Sequence, residues 1–271
     1  MKIPYGLSNF NALIREDYCY IDKTDYIKIL EGQGKYNILL RPRRFGKSLF
    51  LSSLLYYYDI NKKDAFQTLF GPLAIGKNPT QLRNSYQILA FDFSGIETSN
   101  QQSIREGFSR KVEIGLKKFL QQYGYTQENI RTVEAEPSPA GKIDRFFALA
   151  EDAHIYLLID EYDHFANSIL GEDLELFKEI VGKGGFVRAF YETIKIAAGQ
   201  GIVDRIFITG VTSITLDSMT SGFNIGKNLS FTKAFNLAMG FSQQEVEAAV
   251  QPLIRACELD LQNMLKLLRQ W

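Results

Sequence analysis

Residues 36–48 read YNILLRPRRFGKS, and the reading of this run decides the fold. Tyr36 to Leu40 is a short apolar run of strand type, whereas Lys47 to Tyr58 carries apolar residues at Leu49, Phe50, Leu51, Leu54 and Leu55, which suits a helix. A strand, a loop and a helix in this order can turn backbone N–H groups toward an anion at the helix N-terminus. The loop RPRRFGKS (41–48) departs from the phosphate-loop pattern G-x-x-x-x-G-K-[ST] at its first position, where Arg41 replaces glycine and Pro42 follows. That is tolerable if Arg41 stays extended, as a residue before proline prefers. Gly46, Lys47 and Ser48 supply the other half of the device: a close backbone turn, an ammonium for the terminal phosphates and a hydroxyl for magnesium. A Gly-Lys-Ser triplet alone reads equally well as a basic surface loop.

Working outward, three further apolar runs appear: residues 86–93 (YQILAFDF), 154–161 (HIYLLIDE) and 202–210 (IVDRIFITG). An amphipathic helix is predicted from about Ser103 to Tyr123, another from about Phe186 to Ala198, and EAEPSPAGK (134–142) reads as loop by its proline, serine and glycine content. Strands alternating with helices predict an open, mainly parallel α/β sheet with right-handed crossovers. From Ser242 onward only helical patterns remain. We therefore expect a nucleotide-binding unit over residues 1–240 and the start of a helical, lid-like appendage over 241–271.

The run 156–161 ends in Asp160 and Glu161 after four apolar residues, which is the Walker B pattern of additional-strand ATPases. One carboxylate at the end of a buried strand can hold magnesium through water, and the next can polarise an attacking water. Together with Gly-Lys-Ser on another strand, this pair makes a solvated strand end a poor explanation. The fourth run ends Thr209-Gly210-Val211-Thr212-Ser213, and Thr212 and Ser213 are the candidates for a polar sensor of the γ-phosphate. Asp92 and Ser94 fit either water positioning or turn capping.

Other features have two readings each. Arg43 and Arg44 suit phosphate steering, contact with a neighbouring subunit, or surface charge pairing. Asp22, Lys23 and Thr24 suit the adenine side of a site or, more simply, a turn. Tyr56, Tyr57 and Tyr58 read as packing. Gly182, Gly184 and Gly185 suggest a mobile connection. Arg188 and Arg205 are the two candidates for acting in trans, with nothing to choose between them. His154 and His164 flank the acid pair without further ligand spacing for a transition metal.

Composition narrows the class. In 271 residues, 31 Lys and Arg balance 31 Asp and Glu, so no overall cationic field favours nucleic acid or an anionic membrane. Cys19 and Cys257 fit no C-x-x-C spacing and predict reduced thiols, hence a cytoplasmic setting. The start MKIPYGLSNF lacks the apolar run of a signal sequence, and no window predicts a membrane span.

Several stretches together resemble the AAA-ATPase-like domain family of bacterial proteins, which is often found ahead of a PD-(D/E)XK nuclease-like domain. They are Ile3-Pro4-Tyr5-Gly6 with Phe10, Tyr20 to Thr24, Arg41 to Ser48, Leu158 to Asp163, and Phe207 to Val211 leading to Thr220-Ser221-Gly222-Phe223-Asn224. In that family the arginine-rich loop is itself the usual form. The resemblance implies a P-loop NTPase-type three-layer α/β sandwich of the additional-strand type. It also implies Mg-dependent ATP binding with slow hydrolysis used as a switch. Arg44, Phe45, Gly46, Lys47, Ser48 and Leu49 would then hold ATP, and Ser48 and Asp160 would hold Mg2+. Glu161, Lys47, Thr212 and Ser213 would carry catalysis. Alternatives left open are a non-hydrolysing interaction module with structural nucleotide, and a regulator of a nuclease-like domain. Members usually continue past the position of Trp271, so the chain reads as a fragment or a short member, with no nuclease constellation of its own. Single-chain and homo-oligomeric action both remain open, and direct nucleic-acid binding is not expected.

Overall fold

The computed structural model describes residues 2–215, 223–257 and 260–268. Thr220, Ser221 and Gly222, named above, lie outside them. Five strands, β1 (Tyr36–Leu40), β2 (Gln87–Asp92), β3 (Ile155–Asp160), β4 (Val203–Gly210) and β5 (Lys227–Asn228), form one sheet in the order β2-β3-β4-β1-β5. All neighbours pair in parallel. Each expected strand is present, to within a residue or two at its ends.

The sheet is covered on both faces because its strands are apolar on both faces. Every residue of β3 is buried, and its side chains alternate between two cores as the period of a strand requires. Leu157 and Ile159 enter the core formed with Phe108, Leu116, Phe146 and Phe190, contributed by helices Gln101–Gln122, Pro139–Leu149 and Phe186–Gly199. Tyr156 and Leu158 enter the other, with Phe50, Leu54, Tyr57 and Tyr58 of helix Lys47–Tyr58. Two of the three consecutive tyrosines are thus core residues. The result is a three-layer sandwich.

Two local readings change. The segment 134–142 is not all loop, because a helix begins at Pro139. Ser138 caps it by accepting from the Gly141 amide at 3.0 Å, and proline at the first helical position lacks an N–H that would have been unpaired anyway. The same residues that suggested a break are a helix start. The glycines after Val181 make a tight reversal between helices Leu174–Val181 and Phe186–Gly199. A Cβ at Gly185 would stand 2.1 Å from the Ile180 carbonyl oxygen. Beyond Ser242 the chain forms helices Gln243–Cys257 and Leu261–Leu268.

Parallel strands point their carboxyl ends the same way, so the loops after β1, β3 and β4 meet along one edge. β4 lies between β1 and β3, with Leu40 beside Gly210 and Ile159 beside Ile208. At the tip, a Cβ on Gly210 would fall 2.4 Å from both Asp163 Oδ1 and the Tyr162 ring. Gly210→Ala is therefore expected to cost about 2 kcal/mol of stability in urea unfolding, since the neighbours are held and cannot retreat. An unchanged midpoint would contradict this packing.

Candidate functional site

The site is built from the ends of β1, β3 and β4. Leaving β1, Arg41 continues the ladder by donating its amide to the Gly210 carbonyl at 3.1 Å. Its guanidinium turns away from the loop and donates to the carbonyls of Leu40, Ser230 and Phe235 at 2.8, 3.0 and 2.8 Å. The residue that replaces the expected glycine is a staple to the segment after β5. The loop then curls through Arg44 (φ 67°) and Gly46 (φ 87°), both left-handed. Arg44 adopts this conformation against the preference of a residue with a Cβ. Among the described residues, the amides of residues 43–49 have no acceptor, which leaves a helix N-terminus with its donors unspent. The Phe45 carbonyl accepts from the Gly240 amide at 2.9 Å.

Lys47, only 4% exposed, reaches across the loop. Its ammonium donates to the Pro42 carbonyl at 3.3 Å and lies 3.3 Å from Glu161 Oε1. The Ser48 side chain lies close enough to the Asp160 carboxylate to favour its ionised form, and that carboxylate accepts the Glu161 amide at 3.0 Å. Glu161 Oε2 is buried without a partner. Lys47, Ser48, Asp160 and Glu161, distant in sequence, therefore form one cluster.

Ser48 and Asp160 are the side chains of this cluster that could hold a divalent ion. No group of three or more His, Cys, Asp or Glu side chains forms a metal cage among the described residues. One hydroxyl beside one carboxylate suits an ion that keeps most of its waters and takes phosphate oxygens from substrate. Glu161 Oε2 and the amides of the loop are polar groups without partners among the described residues.

Asp160 is pushed up to about 6, first by burial, with Glu161 and Asp92 adding repulsion and the Ser48 side chain opposing them. A raised folded value means the folded state holds this proton more tightly than the unfolded one. Stability from this group is lost as pH rises between the unfolded value near 4 and about 6, and above that the ionised side chain costs roughly 3 kcal/mol. Asp160→Asn is accordingly expected to stabilise the nucleotide-free protein at pH 8 and to change it little at pH 4. Equal effects at both pH values would rule this out.

The remaining expectations fall variously. The Thr212 hydroxyl is spent on Asp163 Oδ2 at 3.2 Å and Asn167 Oδ1 at 2.8 Å. Ser213 is half-buried on the same loop. Leu49 is half-buried in the first helical turn. Asp92 accepts the Ser94 amide at 2.9 Å in a turn, and its strand position is paired with Asp160. Arg43 and Arg44 are exposed and form no ion pair among the described residues. Asp22 Oδ1 caps the Thr24 amide at 2.8 Å, and Lys23 pairs with Glu245 at 2.6 Å, so this turn binds the amino-terminal segment to helix Gln243–Cys257. Arg188 pairs with Glu192, and Arg205 donates to the Tyr86 hydroxyl near the opposite edge of the sheet. His154 stacks on Tyr86 at that same edge.

Two residues were not anticipated. Thr209, fully buried, has a hydroxyl without a partner and projects on the face of Phe207 and Leu39, beside helix Lys47–Tyr58. Strand alternation from Phe207 was the available signal. Asp163 is the other, and the third acid of IDEYD was its only trace. Surface depressions of about 480 and 390 Å3 lie elsewhere, one at Asn11, Tyr56 and Lys62, the other beside Lys2 and Cys19. No described helix is long and apolar enough to cross a membrane.

The family described as Predicted AAA-ATPase matches residues 4–220. A protein described as "Uncharacterized protein in vnfD 5'region" from Azotobacter chroococcum mcd 1 is 28% identical over 263 residues, which cover 96% of this chain and 46% of that protein. The chain thus spans about half the length of the curated relative it matches.

Proposed function

As this chain belongs to the predicted AAA-ATPase family, we propose that it binds ATP with Mg2+ and hydrolyses it slowly, using the bound state as a switch. The observation that carries this reading is the approach of Lys47 Nζ to within 3.3 Å of Glu161 Oε1, with Ser48 beside Asp160. The position of β4 between β1 and β3 favours the additional-strand class of P-loop ATPases.

The amides of residues 44–49 would hold the β and γ phosphates, with Lys47 neutralising their oxygens. Ser48 and Asp160 would hold Mg2+, which supplies Lewis-acid polarisation of the phosphates. A triphosphate offers Lys47 a stronger anionic partner than Glu161 and releases that carboxylate. Glu161 then takes the proton of a water attacking the γ-phosphorus, and ADP leaves with its β-phosphate oxygen. Residues 241–271 would form a lid-like helical region, docked through the Lys23–Glu245 pair. We place the protein in the cytoplasm, on its cysteine usage.

A second reading, nucleotide binding without turnover, is favoured by one feature: Glu161 is held by Lys47 in the nucleotide-free state. Phosphate release separates the two. Mg-ATP should raise the melting temperature under either reading, whereas only the first gives inorganic phosphate above a no-protein control. Absence of both responses would overturn nucleotide binding itself.

A further inference from the structure

We propose that Asp163 is a positioning residue that locks the Glu161 turn to the tip of β4, and that ATP turnover depends on this lock. The inference rests on the hydrolysis reading given above.

Asp163 is fully buried. Its carboxylate accepts the Val211 amide at 3.1 Å through Oδ1 and 3.0 Å through Oδ2. Oδ2 also takes the Thr212 amide at 2.6 Å, the Thr212 hydroxyl at 3.2 Å and the Asn167 side-chain amide at 2.7 Å. Three of these bonds come from fixed backbone N–H groups to a carboxylate, a stronger kind than bonds between neutral groups. Tyr162 grips the same segment from its other side. Its amide donates to the Thr209 carbonyl at 3.2 Å and its hydroxyl to the Thr212 carbonyl. Gly210 sits between these two side chains with no room for a Cβ. Residues 162–163 and 209–212 are thus one interlocked unit joining the ends of β3 and β4.

Glu161 stands between β3 and that unit, at φ 50°. A non-glycine residue in the left-handed region persists where its surroundings over-determine it, and such residues gather at functional sites. Here the strand fixes one side and the Asp163 lock the other. The turn sets the direction in which Glu161 leaves the sheet, toward Lys47. Loosening the lock should let the turn relax and Glu161 lose its aim, while the phosphate-holding loop after β1 stays intact.

The test uses the full chain and Asp163→Asn, which keeps the shape but presents an amide to donors that need an acceptor. We expect amide hydrogen exchange at Val211 and Thr212 to accelerate by about tenfold or more, Mg-ATP affinity to stay within about threefold, and kcat to fall by about ten- to a hundredfold. A residue that only supports folding would lower active protein and leave kcat per folded molecule alone. Tyr162→Phe, which removes one bond of the lock, serves if Asp163→Asn does not fold, and a several-fold loss of kcat at unchanged affinity is expected. Wild-type kcat in a folded variant, or equal losses in affinity and kcat, would overturn the proposal. If the unmodified chain releases no phosphate, the hydrolysis reading fails, and with it the catalytic role of the lock; slow exchange unaltered by Asp163→Asn would disprove the lock by itself.

Discussion

Replacing Glu161 by Gln is expected to lower ATP turnover by about 10²- to 10⁴-fold while leaving Mg-ATP binding in place, the usual yield of a positioned general base. The amide keeps the size of the side chain and removes its ability to take a proton from water. Binding should persist because the loop amides and Lys47 do not depend on that carboxylate. Binding should even tighten somewhat, since Lys47 no longer has a competing anion 3.3 Å away. Steady-state phosphate release and equilibrium titration of the two proteins check this directly. Parallel loss of binding and turnover would mean that Glu161 supports the loop and does not act on water.

Lys47→Ala is expected to have the largest effect on the nucleotide-free protein, a loss of about 3 kcal/mol, because it strands a carboxylate whose buried oxygen already lacks a partner. Lys47 and Glu161 side chains are 4% and 17% exposed, so water screens their attraction little. The cost is chiefly that of the abandoned charge. Lys47→Ala combined with Glu161→Gln should therefore be more stable than Lys47→Ala alone, by on the order of 1 kcal/mol or more in a double-mutant cycle. Simple additivity would mean that the 3.3 Å contact carries no energy.

Much of the fold was legible in local pattern. The four long strands are apolar runs ending in polar residues, and helix Lys47–Tyr58 begins and ends where its spacing placed it. The placement of the acid pair was legible too, since the fully buried strand ends at Asp160 with Glu161 following it. What the sequence concealed was long-range. Arg41 looked like an obstacle to a phosphate loop, and only its bonds to Ser230 and Phe235, nearly two hundred residues on, show its work as a staple. Thr212 looked like a free hydroxyl at a strand tip because nothing local announces Asp163 and Asn167 as its partners. Thr209, one of the few buried polar residues, was passed over because it sits within the strand pattern. The helix at Pro139 was misread for the opposite reason: its signals are local, but proline and serine mark starts as well as breaks.

Calorimetric titration of the purified chain with Mg-ATP, beside Lys47→Ala, tests the central claim most directly. The account predicts saturable binding near one nucleotide per chain for the unmodified protein and at least a hundredfold weaker binding for the variant, as loss of a buried phosphate partner requires. Equal affinities for the two proteins would show that the cluster of Lys47, Ser48, Asp160 and Glu161 does not receive the triphosphate.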